Sequence, residues 1–98
     1  GKVNLARRDD GRWLADCLGR DTAKMRGVVL ADLDPRYDGV EAYACGYSGK
    51  VTQFVQVANS YWQANVLLTD PRALHHLVAG EFDPEHSGPE MLIVAFQT

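Results

Sequence analysis

Val28 to Val51 reads V-V-L-A-D-L-D-P-R-Y-D-G-V-E-A-Y-A-C-G-Y-S-G-K-V, and the pattern returns from Leu77 to Thr98 as L-V-A-G-E-F-D-P-E-H-S-G-P-E-M-L-I-V-A-F-Q-T. Asp34 and Asp83, Pro35 and Pro84, Gly39 and Gly88, Glu41 and Glu90, and Trp13 and Trp62 all stand 49 positions apart (62 − 13 for the tryptophans). The Gly-Lys-Val that ends the first copy, at Gly49 to Val51, reappears as Gly1, Lys2 and Val3. A second copy joined after Thr98 would continue the same spacing, so the pattern is that of two repeats in an endless series, with the boundary inside a repeat. Periods of this size belong to solenoids and propellers, whose units bury their apolar faces only against neighbours.

The apolar runs within each repeat are short, rich in Val, Ile, Tyr and Phe, and bounded by Gly, Pro and Asp, which predicts strands and no helices. Gly1 to Arg8 and Arg12 to Leu18 read as two strands around Asp9-Asp10-Gly11, a turn of the hairpin-forming type. Trp13, Ala15 and Cys17 share one face of the second strand, as Trp62, Ala64 and Val66 do in the matching one, and that face is expected to be buried. Gly19 to Arg26 and Thr69 to His76 read as connections. Val28 to Ala31 and Leu77 to Gly80 follow as inner strands; Ala42 to Gly46 and Met91 to Ala95, apolar on both faces, read as strands covered on both sides. Cys17 aligns with Val66 and Cys45 with Val94, so both cysteines are expected as buried free thiols rather than a disulfide.

With 98 residues, 46% hydrophobic and 23% charged, the chain suits one core rather than two. No apolar run approaches membrane-spanning length and the N-terminus has no signal-peptide pattern, so the expectation is a soluble chain of open localisation with no membrane partner. A formal charge of −3 argues against a nucleic-acid partner.

Four-stranded units with a D-x-D turn after the first strand resemble β-propeller blades. The residues that carry the likeness are Ala31-Asp32-Leu33-Asp34-Pro35 with Gly39 and Glu41, then Gly46-Tyr47-Ser48-Gly49-Lys50-Val51. They resemble the FG-GAP repeats and the variant found in propellers of the rhamnogalacturonan-lyase type. The likeness implies an all-β propeller of four-stranded antiparallel blades, two blade-equivalents per chain. Residues 1–18 would supply the third and outer strands of one blade, residues 27–68 a complete blade, and residues 76–98 the inner and covered strands of the next. Calcium-binding members of the family carry D-x-D-G-D-G, whereas here Pro35 follows the second aspartate and the loop is longer.

Two chemistries compete for the acidic turns, formed by Asp32, Asp34, Asp38 and Glu41 and by Glu81, Asp83 and Glu90. Alternating acids at a strand end supply oxygens of the kind calcium requires. Alternatively, the first acid and the glutamate accept turn amides and fix the hairpin. His75 and His76 precede an inner strand, where at most one per chain could converge on a ring axis to ligate a transition metal. His86 is expected in solvent. Arg20, Lys24, Arg26, Tyr47, Lys50, His76 and Gln97, with Lys2, are expected on one rim, either as a site for an acidic sugar or as ordinary surface. No nucleophile–base pair, phosphate loop or zinc spacing is present.

The function these patterns favour is structural: a two-blade unit closing into a homo-oligomeric ring, without catalysis. Ala95 to Thr98 of one chain would lie beside Gly1 to Asn4 of the next, with Lys2, Val3 and Leu5 meeting Leu92, Val94 and Phe96. The type of propeller it resembles implies eight blades and hence a tetramer; a trimer with six is the alternative. The competing function is a lyase-derived module that binds an acidic glycan with calcium.

Overall fold

In the computed structural model, residues 1–58 and 61–96 are described, and Gln97 and Thr98 of the expected rim and junction lie outside them. Eight strands follow in order: β1 Lys2–Asp9, β2 Arg12–Arg20, β3 Met25–Ala31, β4 Glu41–Gly46, β5 Lys50–Ala58, β6 Tyr61–Thr69, β7 Leu74–Gly80 and β8 Glu90–Ala95. The described residues contain no helix. All pairings are antiparallel and join neighbours in sequence, giving a β1-β2 pair, a four-stranded sheet β3-β4-β5-β6 and a β7-β8 pair. Among the described residues no sheet closes on itself. The radius of gyration, 14.3 Å, exceeds the roughly 13 Å of a compact domain of this length, and the extents of 44 × 32 × 21 Å describe an elongated stack.

The internal repeat holds at the level of backbone register. Lys2 faces Arg20 as Lys50 faces Thr69, Leu5 faces Asp16 as Gln53 faces Asn65, and Arg8 faces Trp13 as Gln56 faces Trp62. Even the irregularities recur, Leu18 being bulged in β2 where Leu67 is in β6, and Arg26 in β3 where His75 is in β7. β1 matches β5 at an offset of 48 (50 − 2) while the strands that follow match at 49 (62 − 13); the extra residue is Val57, bulged between Gln56 and Ala58. Turn hydrogen bonds repeat as well, from Asp21 N–H to Gly1 O and from Asp70 N–H to Gly49 O, both at 2.8 Å. The hairpin turn between β1 and β2 places Asp10 at φ 50° and Gly11 at φ 77°, the left-handed pair that a tight antiparallel turn requires.

The central sheet is sandwiched. Its strand β4 is buried along its whole length, as its two-sided apolarity predicts. Tyr43, Cys45 and Val51 pack on Leu74 and Leu77 of β7, with Val29, Met91 and Ile93 around them. On the opposite face Ala42, Ala44 and Phe54 pack with Leu18, Val3, Leu5, Met25 and Trp62. Successive residues of one strand thus serve two apolar clusters, one on each face of the sheet, in place of the single core expected, which is the period of two of a strand at work.

Several expectations change. The connections shorten to residues 21–24 and 70–73, so Arg26 lies inside β3, Arg20 inside β2, and His75 and His76 inside β7. Bulges let Arg26 and His75 sit within strands, because a bulged residue leaves the pairing ladder and re-aims its side chain; Arg20 and His76 are paired regularly, with Lys2 and Val94. Trp13, Ala15 and Cys17 do share a face, but it is exposed, with Trp13 at 71%. Among the described residues nothing stacks on that side of the β1-β2 pair, whereas its counterpart Trp62 is half-buried against the Leu18, Ala42, Ala44 and Phe54 cluster. Cys45 is buried as expected; Cys17 and its counterpart Val66 are both exposed.

Candidate functional site

The acidic turns are built around their glutamates. Glu41, at the start of β4 and almost wholly buried, accepts the N–H groups of Leu33 at 3.1 Å and Asp34 at 2.9 Å on Oε1. Glu90 does the same at the start of β8, from Phe82 at 2.9 Å and Asp83 at 2.7 Å. Each turn then closes through its second aspartate. Asp34 Oδ1 accepts Arg36 N–H at 3.1 Å, and Asp83 Oδ1 accepts Glu85 N–H at 3.0 Å. The intervening proline has no N–H to compete for that oxygen, and its fixed φ suits the turn. Gly39 and Gly88 follow at φ 81° and 99°, where a side chain would be strained.

The second acid, not the first, therefore joins the glutamate in forming the turn. Asp32, Asp38 and Glu81 are exposed and take part in none of the hydrogen bonds within these turns. Asp34 is engaged by Arg36, whose Nη2 lies 2.7 Å from Oδ2, and by Gln53 Nε2 at 3.0 Å. Those hydrogen bonds, Arg36 first and Gln53 second, hold its carboxyl well below the ordinary carboxylate range. Glu90 is likewise lowered, by the Asp83 and Phe82 amides and then by His86, whose Nδ1 stands 3.1 Å from Oε2. His86 is exposed, as expected. Among the described residues no three acidic, histidine or cysteine side chains form a group able to hold a metal ion.

A polar network runs inward from the first turn. Tyr43 donates its hydroxyl proton to Glu41 Oε1 at 2.8 Å and accepts Gln53 Nε2 at 3.2 Å, while Gln53 Oε1 accepts Asn65 Nδ2 at 3.0 Å. Burial first, and the neighbouring Glu41 carboxylate with it, pushes the Tyr43 phenol up to about 12, so it remains a donor. Among the described residues Glu41 Oε2 has no partner; in the second turn the equivalent oxygen meets His86, whereas the first turn has Tyr37 at that position.

At the opposite strand ends, Arg26 stands over the Tyr47 ring at 5.8 Å, Tyr47 meets Phe96 edge-on at 5.4 Å, and Phe96 lies 4.9 Å from the His75 ring. Arg26 and His75 are the bulged residues of β3 and β7, and Tyr47 and Phe96 are likewise equivalent positions. Of the expected rim residues, the structure brings Arg26 and Tyr47 together. His76 instead lies against Gly27 on the neighbouring strand. Arg20 and Lys24 are exposed and Lys50 is half-buried near Asp21. The residues missed were His75 and Phe96 as members of this row, and the 49-residue offset from Arg26 and Tyr47 is the signal that pointed to them. Lys2 and Phe96 are exposed, Val3 and Leu5 half-buried, and Leu92 and Val94 exposed.

Comparison with protein-family models, with curated proteins and with solved structures produced no match.

Proposed function

We propose that this chain is a structural, self-assembling repeat whose copies join head to tail into a closed β-propeller ring, with no catalytic activity of its own. The observation that supports this reading is the β4-β5 pairing, Ala42 opposite Phe54 through Cys45 opposite Val51. The positional equivalents of those two strands are β8 and β1, and both have a free edge among the described residues. Free edges beside apolar faces invite pairing with another chain. A β8 edge joined to the β1 edge of a second copy makes a four-stranded sheet of the same order as the central one. Such a contact is head-to-tail and must close or run on as a filament; stacked, twisted blades favour closure. Two blades per copy give an even total, and the proposed particle is a tetramer of eight blades, with a trimer of six as the other closed form. Native mass spectrometry tests this directly. A monomer at every concentration would overturn it.

The Arg26, Tyr47, Phe96 and His75 row supports a second reading, in which the rim binds an acidic glycan with calcium as an auxiliary ion. A glycan array probed with the protein, with and without calcium, separates that module from a bare scaffold.

A further inference from the structure

We infer that the contact between copies reproduces, residue for residue, a contact the chain already makes with itself, pairing Leu92 of one copy with Leu5 of the next and covering the next copy's Met25 and Val28, with Leu30 beside them on the same face, by Val78, Leu92 and Val94. This rests on the self-assembly reading above and specifies its register. The internal template is the packing of Val29, Tyr43 and Cys45 on Leu74 and Leu77. Shifted by one repeat, the first three become Val78, Leu92 and Val94, and the last two become Met25 and Val28 when counted into the next copy.

Exposure follows that shift. Leu77, which has its neighbour in the chain, is 1% exposed, and its equivalent Val28 is 55%. Tyr43 is 2% exposed and its equivalent Leu92 is 50%. Leu30, on the same face as Val28, is 70% exposed. Each of these apolar side chains is open on the side where the template places the other set, so the two faces are complementary and differ from each other. A second copy of this chain carries both.

The sequence records the same pairing independently. Tyr43 and Gln53 face each other across β4 and β5 and share a hydrogen bond. Their equivalents are Leu92 and Leu5, so a buried polar pair in one sheet is replaced at both positions by an apolar pair. A single change would set an amide or hydroxyl against leucine without a partner, a costly arrangement once covered. Matched replacement is what direct neighbours require. The template register then sets Met91 opposite Ala6, Leu92 opposite Leu5, Ile93 opposite Asn4 and Val94 opposite Val3.

The test is native mass spectrometry with dilution on four proteins: wild type, Leu30→Asp, Leu5→Gln, and Leu5→Gln combined with Leu92→Tyr. Leu30→Asp should give monomers with an unchanged β-sheet circular dichroism spectrum, since Leu30 is solvent-exposed in the single chain. Leu5→Gln should raise the concentration needed for assembly on the order of tenfold or more, because its amide is buried opposite leucine. Adding Leu92→Tyr should recover most of that loss by recreating the Gln53–Tyr43 pair, with Glu90 placed to accept the hydroxyl. An oligomer that survives Leu30→Asp, or a double variant no better than Leu5→Gln, overturns this register while leaving self-assembly standing. A monomeric wild type overturns self-assembly and the register together.

Discussion

Tyr43 and Glu41, two residues apart on one face of β4, are joined by a 2.8 Å hydrogen bond that links the first acidic turn to the side chains of the sheet interior. Tyr43→Phe removes the hydroxyl that also serves Gln53, and should lower stability by about 1–2 kcal/mol. Glu41→Ala strips the acceptor from the Leu33 and Asp34 amides as well as from Tyr43, and should cost about 3 kcal/mol by the same reckoning. Urea unfolding at fixed protein concentration measures both. Equal losses for the two variants would show that the turn amides contribute nothing.

Acid should act through the turns. Glu90 and Asp34 titrate lower in the folded chain than in the unfolded one, so their stabilisation is present above the unfolded values, 4.5 and 3.8, and is lost as pH falls through the folded ones. Glu90→Gln should therefore flatten the decline of the urea midpoint below about pH 4.5. Parallel pH profiles for wild type and variant would contradict this assignment.

The tryptophans should separate sharply. Trp62 packs against the cluster of Leu18, Ala42, Ala44 and Phe54, and Trp62→Ala should cost about 2–3 kcal/mol, below the full range for a completely buried aromatic. Trp13→Ala, measured in a monomeric background, should change stability by less than about 1 kcal/mol. Losses of the same size would mean that both faces are covered in the single chain.

Thiol chemistry offers a local probe of the central sheet. Cys17 is exposed, while Cys45 is buried and its thiol is pushed up by that burial. An exposed-thiol reagent should modify Cys17 quickly and Cys45 only at the rate of unfolding. Two fast thiols would show that the β4 core opens readily.

Calcium should leave the melting temperature unchanged, because Asp34 is committed to Arg36 and Gln53 and the second turn holds Glu90 through backbone amides. A ligand bound only by the folded state would raise it by mass action. A reproducible rise with calcium, reversed by chelator, would revive the exposed Asp32, Asp38 and Glu81 as ligands.

Much of the fold was legible because its signals are local. The repeat, the Asp9-Asp10-Gly11 hairpin and the two-sided apolarity of Ala42 to Gly46 all lie within short windows, and the strands appear where those windows place them. What escaped was set by neighbours and by irregular backbone. The tryptophan pattern marks a face, yet whether that face is covered depends on a sheet lying beyond it, so Trp13 and Trp62 share a phase and differ in burial. Bulges at Arg26 and His75 carry no compositional mark, and without them neither residue would have been placed beside an aromatic ring. The turn glutamates were identified from spacing; that the second aspartate closes each turn depends on the proline after it.

Among the described residues every hydrogen-bonded strand pair joins consecutive strands. The entropy lost in closing each loop is accordingly small, and hairpins of this kind form in roughly microseconds. Each sheet can therefore begin to zip up as soon as its second strand leaves the ribosome, adding later strands in order, without waiting for any distant segment. The slow step left to the chain is the docking of finished sheets face to face, where Leu74 and Leu77 must find Tyr43 and Cys45.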